Sequence, residues 1–359
     1  MTSPTAQLIR RPTGTINRHV MITGPGRIEL TESPFPQAGA REVLAATVLS
    51  AISGGTEIGW LRGEAPALHC TWDAASRTYR PGPGRLYPIA PGYESVARVI
   101  DCGAEVTGVR PGDLVIADRP HAEWHVLDGA EAAAAALPEH VTPEQAVFSI
   151  LARVSLGAVH DTGLVVGDTV VVMGLGVVGL LAAQQAQLNG ATVIGVDRHP
   201  LRCQAARRFG IAAVVAGDGD VASQVRDLVG SAGADAAIEA TGAYAGLQEA
   251  IRCVRVGAVV TTVASYHGRQ DGLRLGEEYH RNRVTLRSSM TVNGCSHRLH
   301  PRWDKSRLDG VARQQIAEGL ISTDGLVTHR FPFADAAKAY ELLLTRPEDA
   351  VKVVLTYEQ

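Results

Sequence analysis

Cysteine is scarce and scattered. The five in 359 residues, Cys70, Cys102, Cys203, Cys253 and Cys295, contain no C-x-x-C pair. Neither a disulfide framework nor a thiolate zinc cluster is expected, and reduced thiols in a cytoplasmic setting are the default. No apolar run reaches the roughly 20 residues that cross a bilayer, so no membrane association is expected. Charge of one sign is lacking as well: the formal net is −3, which gives nucleic acid no basic footprint to bind. The segment Met1 to Arg11 is polar and broken by proline, unlike a secretory signal. What is present is a globular balance, 45% hydrophobic and 20% charged, in a chain longer than one core usually serves. Two domains follow as the expectation.

The texture changes along the chain. Up to about residue 125 short β-rich segments (Glu42 to Ser50, Ser95 to Asp101, Asp113 to Ala117) alternate with Gly and Pro turns such as Arg110-Pro111-Gly112-Asp113. Gly63 to Pro91, with five prolines, Trp72, Tyr79 and Tyr87, reads as a long loop that is either functional or a passive surface excursion. Ala130 to Ala136 reads as a helical turn or linker. From Thr142, a good helix N-cap followed by Pro143, strand-like and helix-like segments alternate: Thr169 to Met173, Gly179 to Asn189, Thr192 to Asp197, Pro200 to Phe209 and onward. Alternation of this kind builds a doubly wound parallel sheet. The expected organisation is a β-rich domain over 1–148, a Rossmann domain over 149–290 inserted into it, and a return to the first domain over 291–359.

The run Thr169-Val170-Val171-Val172-Met173 passes directly into Gly174-Leu175-Gly176-Val177-Val178-Gly179. A strand, a G-x-G-x-x-G turn and a helix in that order form a dinucleotide cradle. The glycines admit a tight turn and close backbone approach, and the helix N-terminus favours phosphate. Asp197, ending the next strand 21 residues beyond Gly176, stands where an acid holds the ribose hydroxyls, about 20 residues on. It disfavours a 2′-phosphate and argues for NAD, while Arg198 beside it leaves NADP open.

These motifs, with Gly54-Gly55-Thr56-Glu57, Pro91-Gly92-Tyr93-Glu94, Val109 to Asp113, Asp235 to Gly242 and Phe333 to Tyr340, resemble the medium-chain dehydrogenase/reductase superfamily over nearly the whole chain. Gly92 to Val96 resembles its bacteriochlorophyllide-type branch. The resemblance implies a GroES-like β-rich catalytic domain carrying the Rossmann domain. It also implies a homodimer paired through the sheet edge near Ser288, and cofactor contacts from Arg202 and from the Glu239-Ala240-Thr241-Gly242 turn. The family's catalytic zinc ligands match Gly54, Tyr93 and a position near Ser149, which are not zinc donors, so no metal is expected. Thr56 matches the family's proton-relay hydroxyl. A zinc-free site is expected to use Thr56, Tyr93, Glu57 and Glu94, with the Tyr93 phenol as donor to a developing oxyanion; Ser53 is a weaker candidate. Tyr93 as a cavity filler and Thr56 as a turn hydroxyl are the competing structural readings.

Elsewhere, His280 within Glu277 to Arg283 reads as a surface histidine rather than a cleft residue. His297, Arg298, His300 and Arg302 form a hint of an anion or polyol site. The expected activity is zinc-independent hydride transfer between NAD(H) and a secondary alcohol or ketone of a polar, polyol- or sugar-like small molecule. The alternatives are metal-free NADPH-dependent reduction of an activated C=C bond and a non-catalytic nucleotide-binding protein.

Overall fold

The protein is described by a computed structural model over residues 16–215, 219–267, 272–290 and 303–358. The chain divides into two compact units. Unit 1 takes the residues up to Phe148, then Val327–Pro347 and the stretch from Lys352; unit 2 takes Ser149–Leu326 and Glu348–Val351.

Unit 1 begins with an antiparallel hairpin of β1 (Ile16–Gly24) and β2 (Arg27–Pro34). β3 (Glu42–Ile52) is almost wholly buried, and its near-continuous apolar sequence fits a central strand covered on both faces. The 63–91 segment carries a small hairpin of β4 (Cys70–Asp73) and β5 (Thr78–Pro81) where the proline content predicts only loop. Local contacts account for it. Asp73 Oδ1 accepts from the Ala75 and Ser76 amides in the turn, and Trp72 and Tyr79 meet edge-on at 5.0 Å between ring centres. β6 (Glu94–Cys102) lies antiparallel to β3, β7 (Leu114–Ala117) to β6, and β8 (Trp124–Asp128) to the first half of β3. The Ala-rich stretch forms a helix, Gly129–Ala134, because the Asp128 carboxylate accepts from the first free amides.

Thr142 caps the short helix Pro143–Ala146 in a capping box with Gln145. Unit 2 then opens with the helix Ser149–Thr162. Its sheet contains β9 (Thr169–Met173), β10 (Thr192–Asp197), β11 (Ala212–Val215), β12 (Ala234–Glu239), β13 (Val254–Thr262) and β14 (Thr285–Ser288). They lie in the order β11-β10-β9-β12-β13-β14, all parallel. This is a doubly wound Rossmann sheet whose direction of winding reverses between β9 and β12. Val170, Val171 and Val172 are all 0% exposed, each stabilising the unit by about 1.5–3 kcal/mol relative to exposure. Asp235 clips the sheet's entry side, accepting from the Thr169 amide at 2.8 Å and from Arg255 at 2.8 Å.

The chain returns to unit 1 with β15 (Val327–Pro332) and β16 (Lys352–Thr356), parallel to each other, with β16 antiparallel to β3. The sequence placed this return at 291. The contacts place it at Val327 because the helix Lys305–Ala317, capped by Asp304, buries Leu308, Ala312 and Ile316 within unit 2. Arg153 of unit 2's first helix holds Asp309 of that later helix at 2.7 Å.

Candidate active site

In unit 2 the glycine turn leaves β9 at Gly174, whose φ of +93° and 2.7 Å approach to the Thr241 methyl admit no side chain. The Leu175 amide donates to Asp197 Oδ2 at 2.8 Å. Gly176 caps the helix Val177–Leu188, and Val177 and Val178 form its first turn. A Cβ on Gly179 would lie 1.8 Å from the Gly174 carbonyl oxygen, so that glycine is demanded by helix–turn packing. A Cβ on Gly176 would meet nothing within 4 Å. Internal packing thus leaves the space at the helix N-terminus clear where a pyrophosphate can approach the free amides, and the residues fit a dinucleotide.

Asp197 is nearly buried, and its Oδ1 accepts from the His199 amide at 2.8 Å. Arg202 Nη1 approaches Oδ2 at 3.7 Å, and the exposed Arg198 contacts His199 at 3.2 Å. Across the switch point, Glu239 at the end of β12 is fully buried. Its Oε1 accepts from the Thr241 amide at 2.7 Å and from the Thr241 hydroxyl, and its Oε2 from the Tyr266 hydroxyl. Burial pushes the Glu239 carboxyl up despite these donors. The sequence named the Glu239–Gly242 turn but missed Tyr266, which no motif marks.

Unit 1 holds a buried polar network. The helix Thr56–Arg62 begins after Gly54-Gly55 and turns Glu57 inward, 0% exposed. Glu57 Oε1 accepts from the Ser53 amide at 2.8 Å. Its Oε2 is shared by His121 Nε2 at 3.1 Å and the Tyr340 hydroxyl. His121 Nδ1 meets Ser50 Oγ at 2.7 Å, and Ser50 Oγ meets Tyr357 Oη at 2.8 Å. Toward the same helix start, Tyr93 Oη and Ser53 Oγ are 2.6 Å apart, and Thr56 opens that helix. Burial, reinforced by the Glu94 charge, pushes the Tyr93 phenol well up, so Tyr93 is a neutral hydrogen-bonding group at physiological pH.

Glu94 begins β6 and is 0% exposed. Its Oε2 accepts from Lys352 Nζ at 2.7 Å, and its Oε1 has no hydrogen-bond partner. Burial pushes its carboxyl up to about 7, against the opposing pull of the Lys352 ammonium. The structure therefore joins Tyr93 and Glu57 through Ser53, while Thr56 begins the helix that carries Glu57. Glu94 follows Tyr93 in the chain but takes a separate partner from β16. The sequence did not single out Ser50, His121, Lys352 or Tyr357, and gave Tyr340 no role. Lys352 had a readable signal, a lone charge in the apolar run Val351-Lys352-Val353-Val354-Leu355, which demands a buried partner.

This donor set does not fit a catalytic zinc. Gly54 has no ligating side chain, Tyr93 offers a phenol in place of an imidazole, and Ser149 is a buried hydroxyl opening a helix. The carboxylate nearest in sequence already carries an ammonium, which opposes a second cation. Among the described residues, no group of three His, Cys, Asp or Glu side chains is placed to hold a metal. His297, Arg298, His300, Arg302 and Cys295 lie outside the described residues. His280 sits exposed on the short helix Glu278–Arg281.

Comparisons with known proteins agree with this architecture. The family described as zinc-binding dehydrogenase matches residues 177–305. D-guloside 3-dehydrogenase of Escherichia coli K12 is 28% identical over 352 residues, spanning 95% of this chain and 100% of that protein. A crystal structure of an Escherichia coli oxidoreductase/dehydrogenase of unknown specificity superposes with a TM-score of 0.76 at 18% identity, covering 96% of this chain and 100% of the other. An alcohol dehydrogenase from E. coli CFT073 complexed with NADH superposes at 0.73 with 20% identity, covering 96% and 100%. Nothing in these likenesses singles out the bacteriochlorophyllide-type branch. The match to the dehydrogenase family over residues 177–305 and the full-length likeness to D-guloside 3-dehydrogenase, with a Rossmann sheet that carries the glycine turn, mark the chain as an NAD(P)-dependent enzyme of the medium-chain dehydrogenase type.

Proposed function

We propose that the protein transfers a hydride between NAD(H) and a secondary alcohol or ketone of a polyol- or sugar-like metabolite, without zinc. The observation that carries the reading is the neutral Tyr93 phenol, held by Ser53 at the position where zinc relatives place a ligand. NAD(H), when bound, supplies or accepts the hydride. The glycine turn binds its pyrophosphate, Asp197 orients the adenosine ribose, and Arg198 and Arg202 flank it. Glu239 and Thr241 shape the switch-point end of that cradle. Tyr93 donates its hydrogen bond to the substrate oxygen and supplies the proton as negative charge develops there, the work a metal does in zinc relatives. Ser53 holds the phenol's orientation, and Thr56, at the start of the same helix, is the relay hydroxyl. Glu57 fixes Ser53, and Glu94 keeps a second buried acid beside the phenol. The sugar-like substrate class is supported by the D-guloside 3-dehydrogenase likeness, and a homodimer through the exposed edge of β14 completes the proposal.

The test pairs Tyr93→Phe with metal analysis on a panel of polyols, glycosides, ketones and activated alkenes. Tyr93→Phe is expected to lower kcat by about 10²-fold while NADH binding, followed by fluorescence titration, is unchanged. A full-rate Tyr93→Phe enzyme overturns the proton-donor role. One zinc per chain whose chelation abolishes turnover overturns the metal-free half. Turnover of alkenes alone, with NADPH, replaces the alcohol reading by C=C reduction.

A further inference from the structure

We infer that His121 is a positioning residue for the Tyr93 phenol, acting from the loop between β7 and β8 through two separate routes. This rests on the reading of Tyr93 as the proton donor. The first route is direct packing. Gly92, immediately before Tyr93, adopts φ +101°, and a Cβ there would lie 2.7 Å from His121 Cδ2 and 2.8 Å from its Nε2. The imidazole therefore lies against the backbone that launches Tyr93. The His121 amide also donates to the Pro91 carbonyl at 2.9 Å, closing that contact on the main chain.

The second route is polar. His121 Nε2 donates to Glu57 Oε2, Glu57 Oε1 accepts the Ser53 amide, and Ser53 Oγ pairs with Tyr93 Oη. The imidazole thus sets both partners of the Tyr93–Ser53 contact: the backbone before the phenol and, through Glu57, the backbone of the serine. It cannot turn away. Nδ1 is held by Ser50, which is held in turn by Tyr357, and the ring meets Tyr340 edge-on with 6.3 Å between centres. Ser50, Glu57, His121 and Tyr340 are each 0% exposed, so the His121–Ser50, His121–Glu57 and Tyr340–Glu57 bonds are made away from water, where a lost partner is costly. With Nε2 directed at a carboxylate oxygen, the geometry assigns the proton to Nε2 and leaves Nδ1 to accept from Ser50.

Two near-isosteric variants separate positioning from bulk packing. In His121→Gln the amide nitrogen reaches the Nε2 place and still donates to Glu57. In His121→Asn it reaches only the Nδ1 place. Both are made in protein labelled with 3-fluorotyrosine, and the Tyr93 fluorine resonance is identified by its loss in Tyr93→Phe. The expected result is a near-native Tyr93 resonance in His121→Gln and a displaced, broadened one in His121→Asn. The same resonance in both variants, moved or unmoved, overturns the inference. Should His121→Asn not fold by circular dichroism, Tyr340→Phe takes its place. It strips one donor from the same Glu57 oxygen and leaves the imidazole, and a Tyr93 resonance identical to wild type then overturns the inference. None of these readouts needs turnover. A catalytically silent Tyr93→Phe with intact resonance differences therefore rejects the proton-donor reading alone.

Discussion

The glycine turn of unit 2 and the polar network of unit 1 are built in opposite ways. The turn is one uninterrupted stretch, Gly174 to Gly179, supported by Asp197 from the neighbouring strand. The network draws Ser50, Ser53, Glu57, Tyr93, His121, Tyr340 and Tyr357 from across the whole chain. A main-chain cradle needs particular backbone conformations, and those are encoded locally by glycine. A buried proton-handling cluster needs donors matched to acceptors, and a fold can recruit those from any strand or loop that passes nearby.

The sharpest way to break this comparison is to damage the local cradle first. Gly179→Ala puts a Cβ 1.8 Å from the Gly174 carbonyl oxygen, backbone against backbone with no flexible side chain to yield. The expected loss is large, more than about 4 kcal/mol, and unit 2 is expected to fail to fold, as measured by soluble yield and thermal unfolding. A normally folded Gly179→Ala protein would show that the turn tolerates displacement and is not the rigid element described.

Next in size is the pair that borders the network without joining it. Lys352→Met strips from Glu94 its one hydrogen-bond partner among the described residues, and the other carboxylate oxygen is already unpaired there. Removing one member of a buried ion pair costs about 3–5 kcal/mol. The cost depends on pH. Because the folded carboxyl sits at about 7, above its ordinary 4.5, the folded state binds the proton more tightly. Wild-type stability attributable to Glu94 therefore falls as pH rises from 4.5 to about 7 and levels above that. Without the ammonium the carboxyl moves higher still, so the variant keeps losing stability where the wild type has levelled. Urea unfolding is expected to show a deficit that widens above pH 7 and narrows toward pH 5. A deficit independent of pH would mean that Lys352 acts by packing alone.

The same contrast explains what the sequence shows and what it hides. β9 and β10 are legible to the residue, since a run of valines followed by G-x-G-x-x-G has few other solutions. Thr142 as a cap is equally plain, because the capping box closes within three residues. The hairpin β4–β5 was hidden because a two-residue aromatic pair and one Asp-capped turn overrode the proline content. The return to unit 1 was misplaced because the Lys305–Ala317 helix is amphipathic in the ordinary way and nothing local says which unit it covers. In the site, Thr56, Glu57, Tyr93 and Glu94 lie in contiguous motifs. His121 follows a proline in a loop without periodicity, and its importance lies entirely in what approaches it: Gly92 from one side and Glu57 from the other.

The smallest effect is the most discriminating, because it separates a glycine kept for packing from one kept for a ligand. Gly176 has φ −66°, a conformation any residue adopts, and a Cβ there would touch nothing within 4 Å. Alanine at a helix N-cap forgoes a little capping preference, while the stiffer unfolded chain returns a comparable amount. The stability of Gly176→Ala is therefore expected to stay within about 0.5 kcal/mol of wild type. The methyl nevertheless occupies the space through which a pyrophosphate must approach the helix amides. NADH affinity is expected to fall at least about tenfold, about 1.4 kcal/mol, in a fluorescence titration. Unchanged affinity would place the dinucleotide away from the Val177–Leu188 N-terminus and leave Gly176 without a function, whereas lost stability would make it a second packing glycine like Gly179.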